Sequence, residues 1–327
     1  MAVDFDFKGI FRVQSRKSGK RGRITGNWLT ARDGVISCDD LNRTLAGNTH
    51  WSGVPVNLRP AIMTKREGIF REVLDNLYKI ECYEPLDGGD PFPCHIIDIT
   101  KAVAQWHERW PLVSSLFVKD QAADLASVIN DLETVIANEY YCHEAGHVFG
   151  RSVQTKTGKA YFSPGSRACW PLIWVEEFRA DLHSYSVALE LLRPHAAVAV
   201  FVYNCLARWA GDALSMKSRS YGYGPIPFLL FNLLLELRFL KLVKSKSKVQ
   251  AAISKASIQE LMTTMRNCHL HALKEFTEVE LTTDDPLEWG INAARYYRKK
   301  VLRNPLHEDY VELLSTIRSS GVFLSYV

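Results

Sequence analysis

Tyr140-Tyr141-Cys142-His143-Glu144-Ala145-Gly146-His147-Val148-Phe149-Gly150 is the stretch around which the chain is read. It holds a His-Glu-x-x-His pattern. On an α-helix, residues four apart project from the same side, with Cβ atoms roughly 6 Å apart. His143 and His147 are therefore placed to share one small cation. Glu144 follows His143 by one residue, where a carboxylate reaches a water on that cation without ligating it. Ten histidines in 327 residues make about 0.02 such patterns by chance, so a solvated helix with two surface histidines is the weaker reading.

Outward from this motif, apolar residues recur at helical spacing from Asp120 onward, with no Pro and no Gly before Gly146. One helix is expected, starting at Asp120 or Asp124 and capped at Gly150. Thirty residues past His147 stands Glu176-Glu177-Phe178-Arg179-Ala180-Asp181. It falls in a second expected helix, from Trp170 to about Leu192, with Pro194 beyond it. Glu177 and Asp181 are four apart and share a face. Glu176 and Glu177 both remain open as a third donor.

The two motifs together resemble the gluzincin superfamily of zinc metallopeptidases, closest to the branch with a distal Glu-x-x-Ala-Asp. That branch holds heat-shock membrane peptidases and CAAX prenyl endopeptidases. The resemblance covers about forty residues in two patches. It implies Zn2+ held by His143, His147 and Glu177, with Glu144 as general base. It also implies that Asp181 orients a ligand imidazole and that Ala180 is small so the helices approach closely. Glu177, not Glu176, has Ala at +3 and Asp at +4. The metzincin pattern is excluded, because its third histidine would fall at Val153. No signature of a peptide-binding edge strand is present.

The composition is that of an ordinary globular chain: 47% hydrophobic, 23% charged, net charge +4. That charge is too mild to imply nucleic acid. Residues 8–23 hold seven basic residues and no acid, without the aromatic interleaving of a base-stacking surface. They read as a solvated hairpin turning at Ser18-Gly19-Lys20. The seven cysteines are scattered without a Cys-x-x-Cys pair, which argues for a reducing compartment and against a zinc ribbon. Cys142 points about 100° away from His143 and is read as packing. The first residues lack the basic and apolar regions of a secretory signal. The expectation is a cytoplasmic protein.

Residues 24–62 read as short β-like runs and turns, and Lys65 to Ile80 as an amphipathic helix. His95 to Ile99 reads as a strand, with Thr100 as N-cap of a helix carrying Trp106 and His107. A soft boundary at Pro111 divides a mixed α/β region, 1–110, from a mainly helical metal-binding domain, 111–327. The run Phe228–Val243 is apolar but has 16 residues with Asn232, Glu236, Arg238 and Lys241. That is short of the ~20 uncharged residues of a span, so a buried helix is expected and no membrane span. Helices follow at 257–277, 286–302 and 307–319. His107, His195, His269 and His271 are read as packing or surface residues. In the loop 218–227, Tyr221 and Tyr223 are candidates for stabilising an oxyanion.

The fold class expected is α+β, predominantly helical, with a zincin-like domain implied by the resemblance. The expected function is a zinc hydrolase cleaving an amide or peptide bond. The alternatives are a non-proteolytic metal enzyme acting on a small molecule in biosynthesis, and a binding or regulatory protein with a vestigial site. The expected partner is a peptide or small-molecule substrate.

Overall fold

The computed structural model describes residues 4–10, 21–29, 32–48, 53, 55–68, 77–83, 92–149, 169–218, 225–244, 249–254, 257–280 and 285–319. The fold is α+β and predominantly helical.

Strands β1 (Asp4–Ile10), β2 (Arg21–Trp28), β3 (Leu58–Gly68), β4 (Leu77–Tyr83) and β5 (Phe92–Asp98) form one sheet in the order β1-β2-β3-β5-β4. Its pairings are antiparallel except for β3 with β5. The hairpin expected across residues 8–23 is present as β1 and β2, and its turn lies outside the described residues.

The helix expected from Lys65 to Ile80 is not there at either end. Lys65, Arg66, Glu67 and Gly68 pair with β2, and Leu77 to Ile80 pair with β5. Tertiary pairing overrides the local helical spacing of the apolar residues. Within 24–62, helix α1 (Cys38–Ala46) was missed. Its signals are ordinary ones: the Ser37 side chain accepts from Asp40 N, and Gly47 follows the last turn.

Helix α2 (Ile99–Ser115) starts one residue before Thr100. Its N-cap is Asp98, which accepts from Lys101 N. The Arg66 guanidinium grips the same carboxylate with Nε at 2.7 Å. Pro111 lies inside α2, and residues on both sides of it share the hydrophobic core.

The single helix expected from Asp120 is two. Helix α3 (Gln121–Ala126) ends early, and α4 (Leu132–His147) starts afresh at Asp131, whose side chain accepts from Thr134 N. Val148, not Gly150, caps the end of α4. Helix α5 spans Trp170–Leu191 and α6 spans Pro194–Ser218. Helix α7 (Pro225–Glu236) is shorter than the expected 228–243 run. Arg238 adopts φ 56°, with Phe239 N bonding Leu234 O at 2.9 Å and Arg238 N bonding Leu235 O at 3.0 Å. This is a Schellman stop with arginine where glycine usually announces it. The chain then turns into β6 (Leu240–Lys244), paired antiparallel with β7 (Val249–Ile253). Helices α8 (Ile258–Glu280), α9 (Pro286–Tyr297) and α10 (Leu306–Ser319) complete the chain, with a π-helical turn, Arg298–Leu302, closing α9.

Helix α4 is central and buried on nearly every side, including Asn138, Glu139 and His143. A helix so enclosed must find partners for each polar side chain it carries. Asn138 accepts from Ile36 N and donates to Gly34 O, both at 2.8 Å. Tyr141 donates to Leu58 O at 3.0 Å. Against α5 the approach is closest at Gly146: a Cβ there would stand 2.8 Å from both the carbonyl carbon and the Cα of Ala180. That contact sets α4 backbone to backbone on α5 and brings the two motifs face to face.

Candidate metal centre

His143 and His147 present their rings edge to face across one turn of α4, with centroids 4.7 Å apart. Their Nε2 atoms are 3.1 Å apart. From α5, Glu177 Oε2 approaches to 3.3 Å of His143 Nε2 and 3.8 Å of His147 Nε2. Donors about 2.05 Å from a tetrahedral zinc lie roughly 3.3 Å from one another. The three atoms thus form a triangle with edges close to those of one face of such a tetrahedron, and among the described residues no fourth donor joins the group.

The far side of each ring is held by a carboxylate. Asp181 Oδ1 is 2.9 Å from His143 Nδ1, and Glu176 Oε1 is 3.1 Å from His147 Nδ1. An ionised carboxylate only accepts, so each Nδ1 carries a hydrogen, and in a neutral ring Nε2 turns its lone pair inward. Two lone pairs and a carboxylate oxygen within this distance repel unless positive charge sits among them. Glu176, the rival third donor, therefore stands at the outer edge of His147 instead of in the triangle. Both its oxygens are also taken by Arg179, with Nη2 at 2.6 Å from each. Arg179 Nη1 in turn donates to Phe149 O, tying the end of α4 to α5.

Burial works against charge here, yet opposite charges prevail. It raises the Glu177 carboxyl, but the imidazoles of His147 and His143 and the Arg208 guanidinium outweigh it and hold the group below its ordinary value. It pushes the His143 imidazole down, but hydrogen bonds to Asp181 and Glu177 carry it well above its ordinary value. The cluster thus attracts positive charge, which a proton supplies when no metal is present.

Behind the rings lies a set of residues the sequence reading missed. Arg208 on α6 donates to Asp181 through Nε at 2.8 Å and Nη2 at 2.7 Å, and its Nη2 passes 3.9 Å from Glu177 Oε2. Burial would raise the Asp181 carboxyl, but Arg208 and His143 hold it far below the usual carboxylate range. Asn204 donates to Asp181 Oδ1 at 3.1 Å and to Glu139 Oε1 at 2.8 Å, and accepts from the Tyr185 hydroxyl at 2.7 Å. Desolvation raises the Glu139 carboxyl against the pull of His143 and Arg208. A signal for two of these residues was available. Asn204 and Arg208 are polar residues four apart on a run that is otherwise apolar from Ala196 to Ala210.

Glu144 is half-buried on α4, next to His143. Tyr221 and Tyr223 lie outside the described residues. Cys142 is buried in the core, and desolvation raises its thiol. His107 and His195 are exposed. His269 meets His183 instead of His271, with Nδ1 atoms 3.3 Å apart.

No family model and no curated protein matches this sequence. Among solved structures, dipeptidyl-peptidase III from Corallococcus sp. strain EGB is similar over 92% of this chain, at 12% identity and a TM-score of 0.48. This chain spans 57% of that one. A likeness of that degree assigns neither fold family nor activity.

Proposed function

We propose that the protein is a zinc-dependent hydrolase of gluzincin type that cleaves an amide or peptide bond. The observation that carries the reading is the triangle of His143 Nε2, His147 Nε2 and Glu177 Oε2, with edges of 3.1, 3.3 and 3.8 Å. His143, His147 and Glu177 would hold the metal, and Asp181 and Glu176 fix the tautomers that face it.

Zinc bound there supplies Lewis acidity, lowering the pKa of a water to about 7 and polarising an acyl oxygen. The remaining work falls to the chain. Glu144 takes the proton released as a carbon–oxygen bond forms at the acyl carbon. It delivers that proton to the departing nitrogen as the carbon–nitrogen bond breaks. Arg208 keeps Asp181 ionised, so the His143 ring stays oriented throughout. Arg179 does the same for Glu176 and His147.

The test is metal analysis and peptide hydrolysis on protein purified without chelator. Near-stoichiometric zinc is expected, lost in Glu177→Ala and retained in Glu144→Gln, with hydrolysis lost in both. Wild-type protein free of metal, or zinc that survives Glu177→Ala, would sink the proposal. Full zinc with no turnover of a peptide library but turnover of small amides would keep the metal and move the substrate to a small molecule.

A further inference from the structure

The outward face of α9 is not that of an ordinary solvated helix. Its inner face is already satisfied, with Trp289, Ala293 and Tyr296 in the core. Yet the outer face carries Leu287 at 72% exposure, Ile291 at 42% and, at the end of the π-helical turn, Leu302 at 59%. On the α-helix, Leu287 and Ile291 are four apart and Arg298 follows Leu287 by eleven residues, so the three share one stripe. Arg295 and Arg298 are exposed on α9 and at its π-helical turn, and Lys299 and Arg303 are exposed in and just after that turn. Among the described residues, no ion pair engages Arg298, Lys299 or Arg303.

Acidic groups on this face are few. Glu288 is exposed, and the Asp285 carboxylate accepts from Leu287 N at 2.9 Å. Lys300, inward of the stripe, is paired with Glu275 at 3.3 Å. Trp170, 46% exposed, opens α5 beside α9, where Cys169 Sγ lies 3.5 Å from the Cβ position of Gly290.

We propose that this face of α9 and its π-helical turn seats the protein on an anionic lipid surface. Aliphatic side chains interleaved with unpaired cations match an interface where apolar groups enter the acyl boundary and long cationic side chains reach lipid phosphates. Nucleic acid would use the cations but has no use for Leu287, Ile291 and Leu302. A second copy of the same face would bring its cations against their own kind. The contact is peripheral, since no helix among the described residues is long and apolar enough to cross a membrane. It does not depend on the metal reading. Because Trp174 of α5 packs on Tyr297 at 4.7 Å, the seated face lies directly behind the helix that carries Glu177.

The test uses the full chain and vesicles of phosphatidylcholine with and without phosphatidylserine, read by co-sedimentation. Wild-type protein is expected to pellet with the anionic vesicles, to stay in solution with the neutral ones, and to be released by salt. Arg298→Glu with Lys299→Glu and Arg303→Glu lowers partitioning by roughly 100-fold. Leu287→Ser with Ile291→Ser lowers it roughly tenfold at unchanged net charge. Arg43→Glu, a single charge reversal on α1, tests a cation outside α9 and leaves partitioning within about fivefold of wild type. The altered positions are all exposed, and circular dichroism checks each variant; were one to misfold, the lipid and salt dependence of the wild type still decides. Equal binding to both vesicles, binding to neither, or wild-type binding by both multiple variants overturns the proposal. Capture by heparin or RNA without sedimentation on anionic vesicles overturns it too and reassigns the face to a soluble polyanion.

Discussion

Two pairs of histidines meet in this molecule, and they are built differently. His143 and His147 sit on one helix, each with a carboxylate at its outer nitrogen and a third carboxylate at the inner ones. His183 and His269 come from α5 and α8, with Nδ1 atoms 3.3 Å apart and Phe149 stacked on His183 at 4.8 Å. Among the described residues, the groups able to hold a metal include the first pair and not the second. Imidazole proximity alone does not make a metal site. The outer hydrogen bonds that choose the tautomer, and a third anionic donor at the right edge length, do.

The sharpest way to break this comparison is to swap which pair is damaged. His143→Ala should abolish stoichiometric zinc, while His269→Ala should leave metal content unchanged by elemental analysis. Equal loss in both would erase the distinction. Next in size, Glu144→Gln should lower turnover by about 10²–10⁴-fold with metal content intact, since Glu144 is not among the converging donors.

A smaller effect is expected from the outer carboxylates. Asp181→Asn or Glu176→Gln should weaken zinc affinity by about 10–100-fold, read by competition with a chromophoric chelator. If either behaves as wild type, ring orientation is set by packing alone.

The acid side of folding offers a related check on metal-free protein. The Asp181 carboxyl is held below its ordinary value in the fold. It therefore contributes stability above the unfolded value, about 4, and that contribution fades as pH falls through the folded value. Asp181→Asn should flatten the acid limb of a stability–pH curve. His143 has the opposite sign: raised in the fold, it stabilises the metal-free protein below about pH 6.5 and loses that contribution as pH rises. The smallest effect expected is Gly146→Ala, which should cost about 1–3 kcal/mol by forcing α4 off α5, measured by chemical denaturation. Weakened zinc binding should accompany it.

That His143, His147 and Glu177 converge was legible because both motifs are local. His143 and His147 repeat at one helical turn, and Glu177 is marked by the alanine and aspartate that follow it. Arg208 and Asn204 were not found: their spacing in an apolar run marks two polar residues, but only the packing of α6 on α5 shows what they face. The start of α4 was misplaced for a plainer reason. Asp120, Asp124 and Asp131 all precede helical runs, and only the break after Ala126 shows which of them opens the long one. The strands from Lys65 and from Leu77 were hidden by apolar residues between them that also fit a helix. What decides their state is a partner strand some tens of residues away.

The hydrogen bonds from Asn138 to Gly34 and Ile36, and from Tyr141 to Leu58, reach from the ligand helix into the first sixty residues of the chain. An amino-terminal deletion of that stretch would strand an amide and a phenol in a dry interior just before the turn that carries His143 and His147. Trimming of those residues would then be felt at the far end of α4, where His143 and His147 stand.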